Sequence, residues 1–530
     1  MLVQRTELYA DPAGKFVHDL VFAAAAQHPN KIAIVDTSTT PARSITYAEY
    51  ADLVERIARG LVAARIRPQQ VVAIFLPNSW EFCAAFHAIS YAGAISAPVN
   101  PSYREREVHY QLENSEAVAL ITDGPLIHDI DLSGLPSLKR VFYTRTGAGT
   151  ADPFTSLLKE RANPMPWHDL DPQAALASLP YSSGTTGLPK GVKLTHANLV
   201  TNTYQTIAIG EPETIVTPDV MLCFLPLYHI YGMTVALNLM ITLGGTLVLM
   251  PRFDPRRSLE LLIEYGVTVA PCVPPVLLSW SQQAEQGCFP RDHQLRWVKS
   301  GAAPLAPDLA QRFTTQTGVR IRQGYGMTEA SPVTHLGFLE ERLYRPTSIG
   351  YPVAQTECRI LDDYGSEVKP GERGELVMRG PQFMQGYWKA DAATDAVLRD
   401  GWYWSGDIAR QDEDGFFFIV DRRKEMIKCS GFPVAPAEVE GVLLEHPAVR
   451  DCGVVARPDA TCGEVPIAFI ILRDPQLESP SLAEELKEYV AERITRYKQP
   501  RDIIFTDSIP RTASGKILRR ELRTRISTHG

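Results

Sequence analysis

The sequence predicts an α/β protein: a large N-terminal part with mostly parallel sheets, a stretch of β hairpins, and a small α+β C-terminal domain. Three observations predict it. Short apolar runs alternate with amphipathic segments through the first part of the chain, as in strands joined by crossover helices. From about residue 375 the texture changes to closely spaced strands separated by turn residues. At 530 residues with 45% hydrophobic content, the chain exceeds one ordinary core and can bury two or more.

Taken in order, Leu53, Ile57 and Leu61 lie four residues apart between charges and predict one apolar helix face within 45–65. The run 71–76, closed by Pro77-Asn78, predicts a buried strand feeding a helix that starts near Ser79. Phe82 to Val99 contains His87, two serines, Gly93 and Pro98, and reads as a buried helix and not a membrane span. Further strands are expected at 117–122, 139–143, 221–225, 246–250, 267–273 and 319–322. The helix over 255–265 has full punctuation, with Asp254 as N-cap, Pro255 at the first helical position and Gly266 past the end. Hairpin strands follow at Glu375 to Arg379, Trp402 to Trp404 and Gly415 to Asp421, and a charged break at 421–425 ends them. The last piece reads as a helix from Pro436 to Glu445, strands near 452–456 and 467–472, a helix over 482–496 with Ser481 and Glu484 as capping box, and a strand at 502–506. These place the domain cut at about 421, giving domains 1–421 and 422–530.

Composition narrows the function. A net charge of −8 without a basic block argues against a nucleic-acid surface. The eight cysteines, at 83, 223, 272, 288, 358, 429, 452 and 462, show no CxxC pair, so reduced thiols in a cytoplasmic protein are expected, with no disulfide and no zinc. The N-terminal residues lack the charged-then-apolar order of a signal peptide, and no integral membrane segment is expected.

The chemistry centres on 181–192, Tyr-Ser-Ser-Gly-Thr-Thr-Gly-Leu-Pro-Lys-Gly-Val. Its glycines free backbone N–H groups to converge, Ser182, Ser183, Thr185 and Thr186 add hydroxyl donors, and Lys190 adds a mobile charge. That composition suits a polyphosphate cradle, or in its plainer reading a flexible Ser/Gly turn. It is not a Walker loop, since Gly191 and not Ser or Thr follows the lysine.

Together with segments elsewhere, this stretch resembles the phosphate loop of the adenylate-forming (AMP-binding) superfamily, acyl-CoA synthetase branch, with motifs closest to the 4-coumarate:CoA ligases. Those segments are Leu225 to Gly232, Lys299 to Pro304, Gln323 to Glu329, Trp404 to Asp407 and Pro510 to Arg520. The resemblance implies a barrel-like hairpin part, a small mobile C-terminal domain, and ATP, Mg2+, coenzyme A and a small carboxylic acid as ligands. Ser182, Ser183, Gly184, Thr185, Thr186 and Lys190 would hold the ATP phosphates. Ala302, Gln323, Gly324 and Tyr325 would meet adenine, Thr328 the α-phosphate, and Glu329 the metal, a carboxylate being suited to a hard ion. Asp407 and Arg422 would bind ribose. Lys516 would be the catalytic lysine, pairing with the substrate carboxylate and the α-phosphate as charge redistributes; Gly515 before it permits a tight turn. His229 would stand by the reacting carboxylate, with Tyr231, Val235, Pro332 and Val333 in the acyl pocket alongside Ala302 and Gly324. Lys424 matches the hinge, Lys428, Ser430 and Gly431 the thioester tunnel, and Arg252 the CoA nucleotide.

Where plant 4-coumarate:CoA ligases carry Lys-Gly-Phe-Gln, this chain has Ser430-Gly431-Phe432-Pro433, so the acid stays open between an aryl-propenoic and a medium- or long-chain aliphatic one. A stand-alone enzyme loading a carrier protein, a luciferase-like oxygenase and a nucleotide sensor are the other readings. Thr185, Glu329, Asp407 and Lys516 together count against the sensor, which needs no catalytic lysine. The oligomeric state stays open between monomer and homodimer.

Overall fold

The computed structural model describes residues 12, 14–145, 152–159, 169–182, 188–209, 219–429, 432–459, 461–512 and 515–526. Local punctuation sets many of its boundaries. The helix Pro255–Glu264 begins where Asp254 accepts from Arg257 N and ends before Gly266, at φ +59°. Ser79 caps Trp80–Tyr91 by accepting from Phe82 N. The expected single helix from Phe82 to Val99 is corrected here: Gly93, at φ +73°, turns the chain out of the helix and into the strand Ile95–Pro98. The expected cap at Ser481 is also corrected. Pro480 presets the first helical turn of Pro480–Ala491, so the cap falls on Ser479, which accepts from Leu482 N.

Two sheets carry the N-terminal part. The larger has nine strands, and its centre is parallel, running Arg320–Gly326, Trp297–Ser300, Val269–Cys272, Val220–Cys223, Thr246–Leu249 and Ile32–Asp36, with antiparallel strands at both edges. The second has seven strands around a parallel centre, including Val71–Phe75 between Ile95–Pro98 and Ala119–Thr122. Such strands are apolar on both faces, which is why they appear in sequence as continuous runs. An antiparallel sheet follows, built on Arg373–Arg379, Trp402–Gln411 and Phe417–Arg422.

The last sheet, from Ile427–Cys429 to Asp502–Phe505, is antiparallel except where Gly463–Leu472 meets Asp502–Phe505. Its strands and helices enclose a core of their own, drawn from residues between Ile427 and Leu522. The architecture is thus α/β with mostly parallel N-terminal sheets and a smaller C-terminal domain of mostly antiparallel strands. Among the described residues, no helix is long and apolar enough to cross a membrane.

Candidate active site

Between the small C-terminal sheet and the nine-stranded sheet lies a cleft of ≈ 970 Å³. The strand Arg320–Gly326 sends Gln323, Gly324 and Tyr325 into it, and Ala302, just past the end of the neighbouring strand, lines the same wall. Ala302 adopts φ +67°, a conformation a side chain takes only when its surroundings hold it there.

The hairpin pairing of Trp402–Gln411 with Phe417–Arg422 sets Asp407 directly opposite Arg422. Arg422 Nε lies 3.1 Å from Asp407 Oδ1, and the Tyr325 hydroxyl donates to Asp407 Oδ2 at 2.5 Å. A carboxylate buried to 3% exposure thus has one cation and one hydroxyl as partners. The Asp407 carboxylate in turn holds the Arg422 guanidinium above its ordinary pKa, and burial pushes the Tyr325 phenol well up.

Lys516 reaches the cleft from the C-terminal domain. Its loop is closed by Thr512 N donating to Lys516 O at 2.8 Å, with Gly515 at φ +82° and packed close to Pro275. Burial lowers the Lys516 pKa, repulsion from Arg422 adds to this, and Glu425 and Asp407 oppose it. The arrangement gives an electropositive group next to the Asp407–Arg422 pair, able to bridge two anionic reactants.

The phosphate-loop candidates divide. Ser182 pairs with Lys190 in a two-stranded antiparallel sheet, whereas Ser183, Gly184, Thr185 and Thr186 lie outside the described residues. Lys190 Nζ stands 5.6 Å from the Tyr387 ring centroid, and the Tyr387 hydroxyl donates to Glu329 Oε1 at 2.8 Å. This chain of contacts ties the end of the loop to the segment bearing Thr328, which is half-buried at the start of the short helix Thr328–Ala330.

Other candidates stand apart from the cleft. His229 is closely surrounded, and burial presses its pKa to about 4, so a neutral imidazole accepts at Nδ1 from Tyr231 N, 3.2 Å away. Tyr231 donates through its hydroxyl to Lys299 O at 3.0 Å, and Val235 lines a separate small cavity. Pro332 O accepts from Met327 N, and Val333 exchanges two hydrogen bonds with the Asn202 amide. Lys424 and Lys428 are exposed on the C-terminal side, and Arg252 is exposed after the strand Thr246–Leu249. Ser430 and Gly431 lie outside the described residues.

Two groups near the site escaped the reading of the sequence. Tyr387 sits in a loop with no motif around it. Arg519, within an apparently solvated basic tail, is buried and bonded to Glu425 at 3.0 Å and to Glu440. Beside it, burial pushes the Asp421 carboxyl up to about 6 while it accepts from Arg422 N and Ala437 N. Its position three residues after Lys516, within the segment Pro510 to Arg520, was the sole hint of Arg519's place.

Comparison with known proteins decides the family. Residues 21–388 match the model of the AMP-binding enzymes, and 438–516 match the AMP-binding enzyme C-terminal domain. The chain belongs to the AMP-binding enzyme family. Among curated members, the protein named 4-coumarate–CoA ligase 5 of Oryza sativa subsp. japonica is 37% identical over 524 residues, covering 96% of this chain and 94% of that one. Among solved AMP-binding enzymes, an anthranilate CoA ligase in complex with anthranoyl-AMP superposes with a TM-score of 0.87 at 27% identity, over 98% of each chain. The o-succinylbenzoate CoA synthetase of Bacillus subtilis, in complex with ATP and magnesium ion, gives a TM-score of 0.79 at 30% identity, over 95% of this chain and 99% of that one. The enzyme class of this family member is that of the AMP-forming acid:CoA ligases.

Proposed function

We propose that this AMP-binding enzyme activates an aryl-propenoic acid such as 4-coumarate with ATP and transfers the acyl group to coenzyme A in the cytoplasm. The observation that carries the reading is the shared cleft: Ala302, Gln323 to Tyr325, Asp407 with Arg422, and Lys516 come from distant segments and line one space.

A carboxylate cannot expel oxide at neutral pH. When one of its oxygens attacks the α-phosphorus of ATP, an O–P bond forms, the bond to the bridging oxygen breaks, and pyrophosphate leaves with that electron pair. The acid oxygen now departs as part of AMP. The sulfur of the CoA thiol then attacks the acyl carbon, a C–S bond forms, AMP is expelled, and the thiol proton passes to solvent.

The residues suit these tasks. Asp407 presents a charged acceptor for the ribose hydroxyls, steadied by Arg422 and Tyr325. Lys516 aligns carboxylate and α-phosphate and offsets the developing charge. Ser182 and Lys190 stand at the two ends of the loop proposed to hold the outgoing pyrophosphate. Glu329 fits a magnesium ion: it is buried, Tyr387 occupies its Oε1, and a single carboxylate beside phosphate oxygens suits a hard cation that keeps several waters. That ion, when bound, neutralises phosphate charge. The neutral His229, with Tyr231, would flank the acid.

The second half-reaction requires another arrangement, because Lys428 is exposed away from the cleft that Lys516 lines. We place the domain boundary at about residue 421, with rotation about Lys424 withdrawing Lys516 and bringing in the hairpin near Lys428 to Val434. The test is carboxylate-dependent pyrophosphate release across cinnamic, benzoic and aliphatic acids, with and without CoA. Release with cinnamic acids, and acyl-CoA plus AMP once CoA is added, is expected. Release confined to aliphatic acids overturns the substrate, and release that never yields a CoA thioester overturns the acceptor.

A further inference from the structure

The helix Arg519–Ile526 begins three residues after Lys516, and its first side chain is buried among acids. Arg519 Nε donates to Glu425 Oε2 at 3.0 Å, one terminal nitrogen donates to Glu440 Oε1 and to Val454 O at 2.8 Å, and the other to Glu440 Oε2 at 3.1 Å. Asp421, also buried, attracts the same guanidinium. One side chain thus joins three separate pieces: the segment just past Arg422, the helix Pro436–Glu445 and the strand Val449–Asp459.

Folding alone does not account for this arrangement. Leu522, one turn further on, is fully buried in the C-terminal core, and a Cβ on Gly453 would come within 2.8 Å of its Cδ1, so apolar packing already docks the helix. A buried ion cluster adds little net stability, because the cost of desolvating its members offsets their attraction. What it supplies is register, since a planar fork with several fixed acceptors admits one placement of its backbone.

That placement is passed on to Lys516. Leu518 N donates to Pro510 O at 2.8 Å, and Arg511 bridges to Ile517 across the base of the loop. Within the loop, Lys516 N donates to Thr512 Oγ1 at 3.1 Å, and the Arg511 guanidinium donates to Gly515 O at 2.8 Å and to Asp451 Oδ1 at 2.7 Å. The backbone is held on both sides of the lysine, whose side chain lines the cleft. Around its ammonium stand Arg422 and Asp407 from the antiparallel sheet, Glu425 from the segment after it, and Arg519 itself. Alignment at this point matters, since a misplacement of about 1 Å can cost about 100-fold in rate.

We propose that Arg519 is a positioning residue for acyl-AMP formation: by fastening the chain to Glu425, Glu440 and the Val454 carbonyl, it holds Lys516 at the depth in the cleft where the lysine meets both reactants. This rests on reading Lys516 as the catalytic lysine. Arg519 acts through that lysine, and the CoA step, for which Lys516 is withdrawn, does not call on it.

The test uses two variants, with thermal melting to establish that each is folded. Arg519→Lys keeps the charge and loses the fork, and Glu440→Gln keeps the shape of the acceptor and loses its charge. In Arg519→Lys, kcat for ATP–pyrophosphate exchange with 4-coumarate is expected to fall about tenfold or more, while KM for ATP moves by less than about threefold and thioester formation from preformed 4-coumaroyl-AMP and CoA stays within about twofold. Glu440→Gln is expected to show the same split in smaller measure. The Lys516 pKa is read separately, by acetic anhydride labelling of the whole protein across pH and mass spectrometry of the Lys516 peptide. Burial lowers it from 10.5 in the native loop, so a lysine released to solvent in Arg519→Lys has a higher pKa, and the alkaline limb of exchange moves up with it. Equal falls in the two half-reactions, unchanged exchange, or a Lys516 pKa that stays at its wild-type value overturns the inference. Full exchange in Lys516→Met removes the catalytic reading of that lysine instead, and absence of exchange with 4-coumarate in the wild type removes the substrate. In either case the labelling alone decides whether Arg519 places the lysine.

Discussion

Replacing Asp407 with Asn keeps the shape of the side chain and removes the charge on which the proposed ribose contact depends. In the native arrangement Oδ1 faces Arg422 Nε at 3.1 Å and Oδ2 accepts from Tyr325 at 2.5 Å. At that separation the ion pair corresponds to about 5 kcal/mol at an effective dielectric constant near 20. Arg422 is 36% exposed, so solvent screens it, and about 1–3 kcal/mol of folding stability is the expected loss. The loss in binding is more telling. Asn has one acceptor oxygen where Asp has two, and it makes neutral hydrogen bonds where Asp makes charge-assisted ones, each of the latter contributing about 1.5–3 kcal/mol. A combined loss near 3 kcal/mol raises the ATP dissociation constant about 100-fold. Calorimetric titration of ATP into both proteins measures this, with thermal melting alongside to establish that the variant is folded. An ATP affinity within about threefold of wild type in a folded Asp407→Asn protein refutes the ribose assignment.

In the proposed mechanism Lys516 acts as the cation, which is lost as pH rises through its pKa. Because burial lowers that pKa from 10.5, ATP–pyrophosphate exchange is expected to decline on an alkaline limb lying below pH 10.5. Lys516→Met should lose about 10²–10³ of the exchange rate and lack the limb; an unchanged rate, or the same limb in the variant, removes the lysine from the mechanism. Gly326→Ala addresses the backbone beneath the site. Its Cβ would lie 2.1 Å from Pro332 O, a main-chain atom with little room to yield, so a loss of about 1–3 kcal/mol is expected as a lowered melting temperature. A melting temperature equal to wild type contradicts that packing.

Where the sequence was legible, the information was local. The helix Pro255–Glu264 carries its own cap, proline and glycine, and most parallel strands announce themselves as short apolar runs. The helix and strand joined at Gly93 read as one element because both are mostly apolar and buried, so periodicity carries no boundary and only the positive φ of the glycine does. The cap at Ser479 was misplaced by two residues, since two serines flank Pro480 and either fits the motif.

Taken alone, then, the sequence determined the α/β class, the motif segments and the kinds of group available to bind phosphate, ribose and metal. The tertiary structure decided which of those groups meet. Asp407 lies opposite Arg422, Lys299 opposite Arg322, Tyr387 on Glu329 and Arg519 on Glu440. None of the four pairs is encoded by local spacing. Strand pairs depend on register, and a slip of one residue turns every side chain to the opposite face. Burial then converts those meetings into shifted pKa values and unpaired charge, because desolvation is a property of the packed surroundings and not of the residue itself.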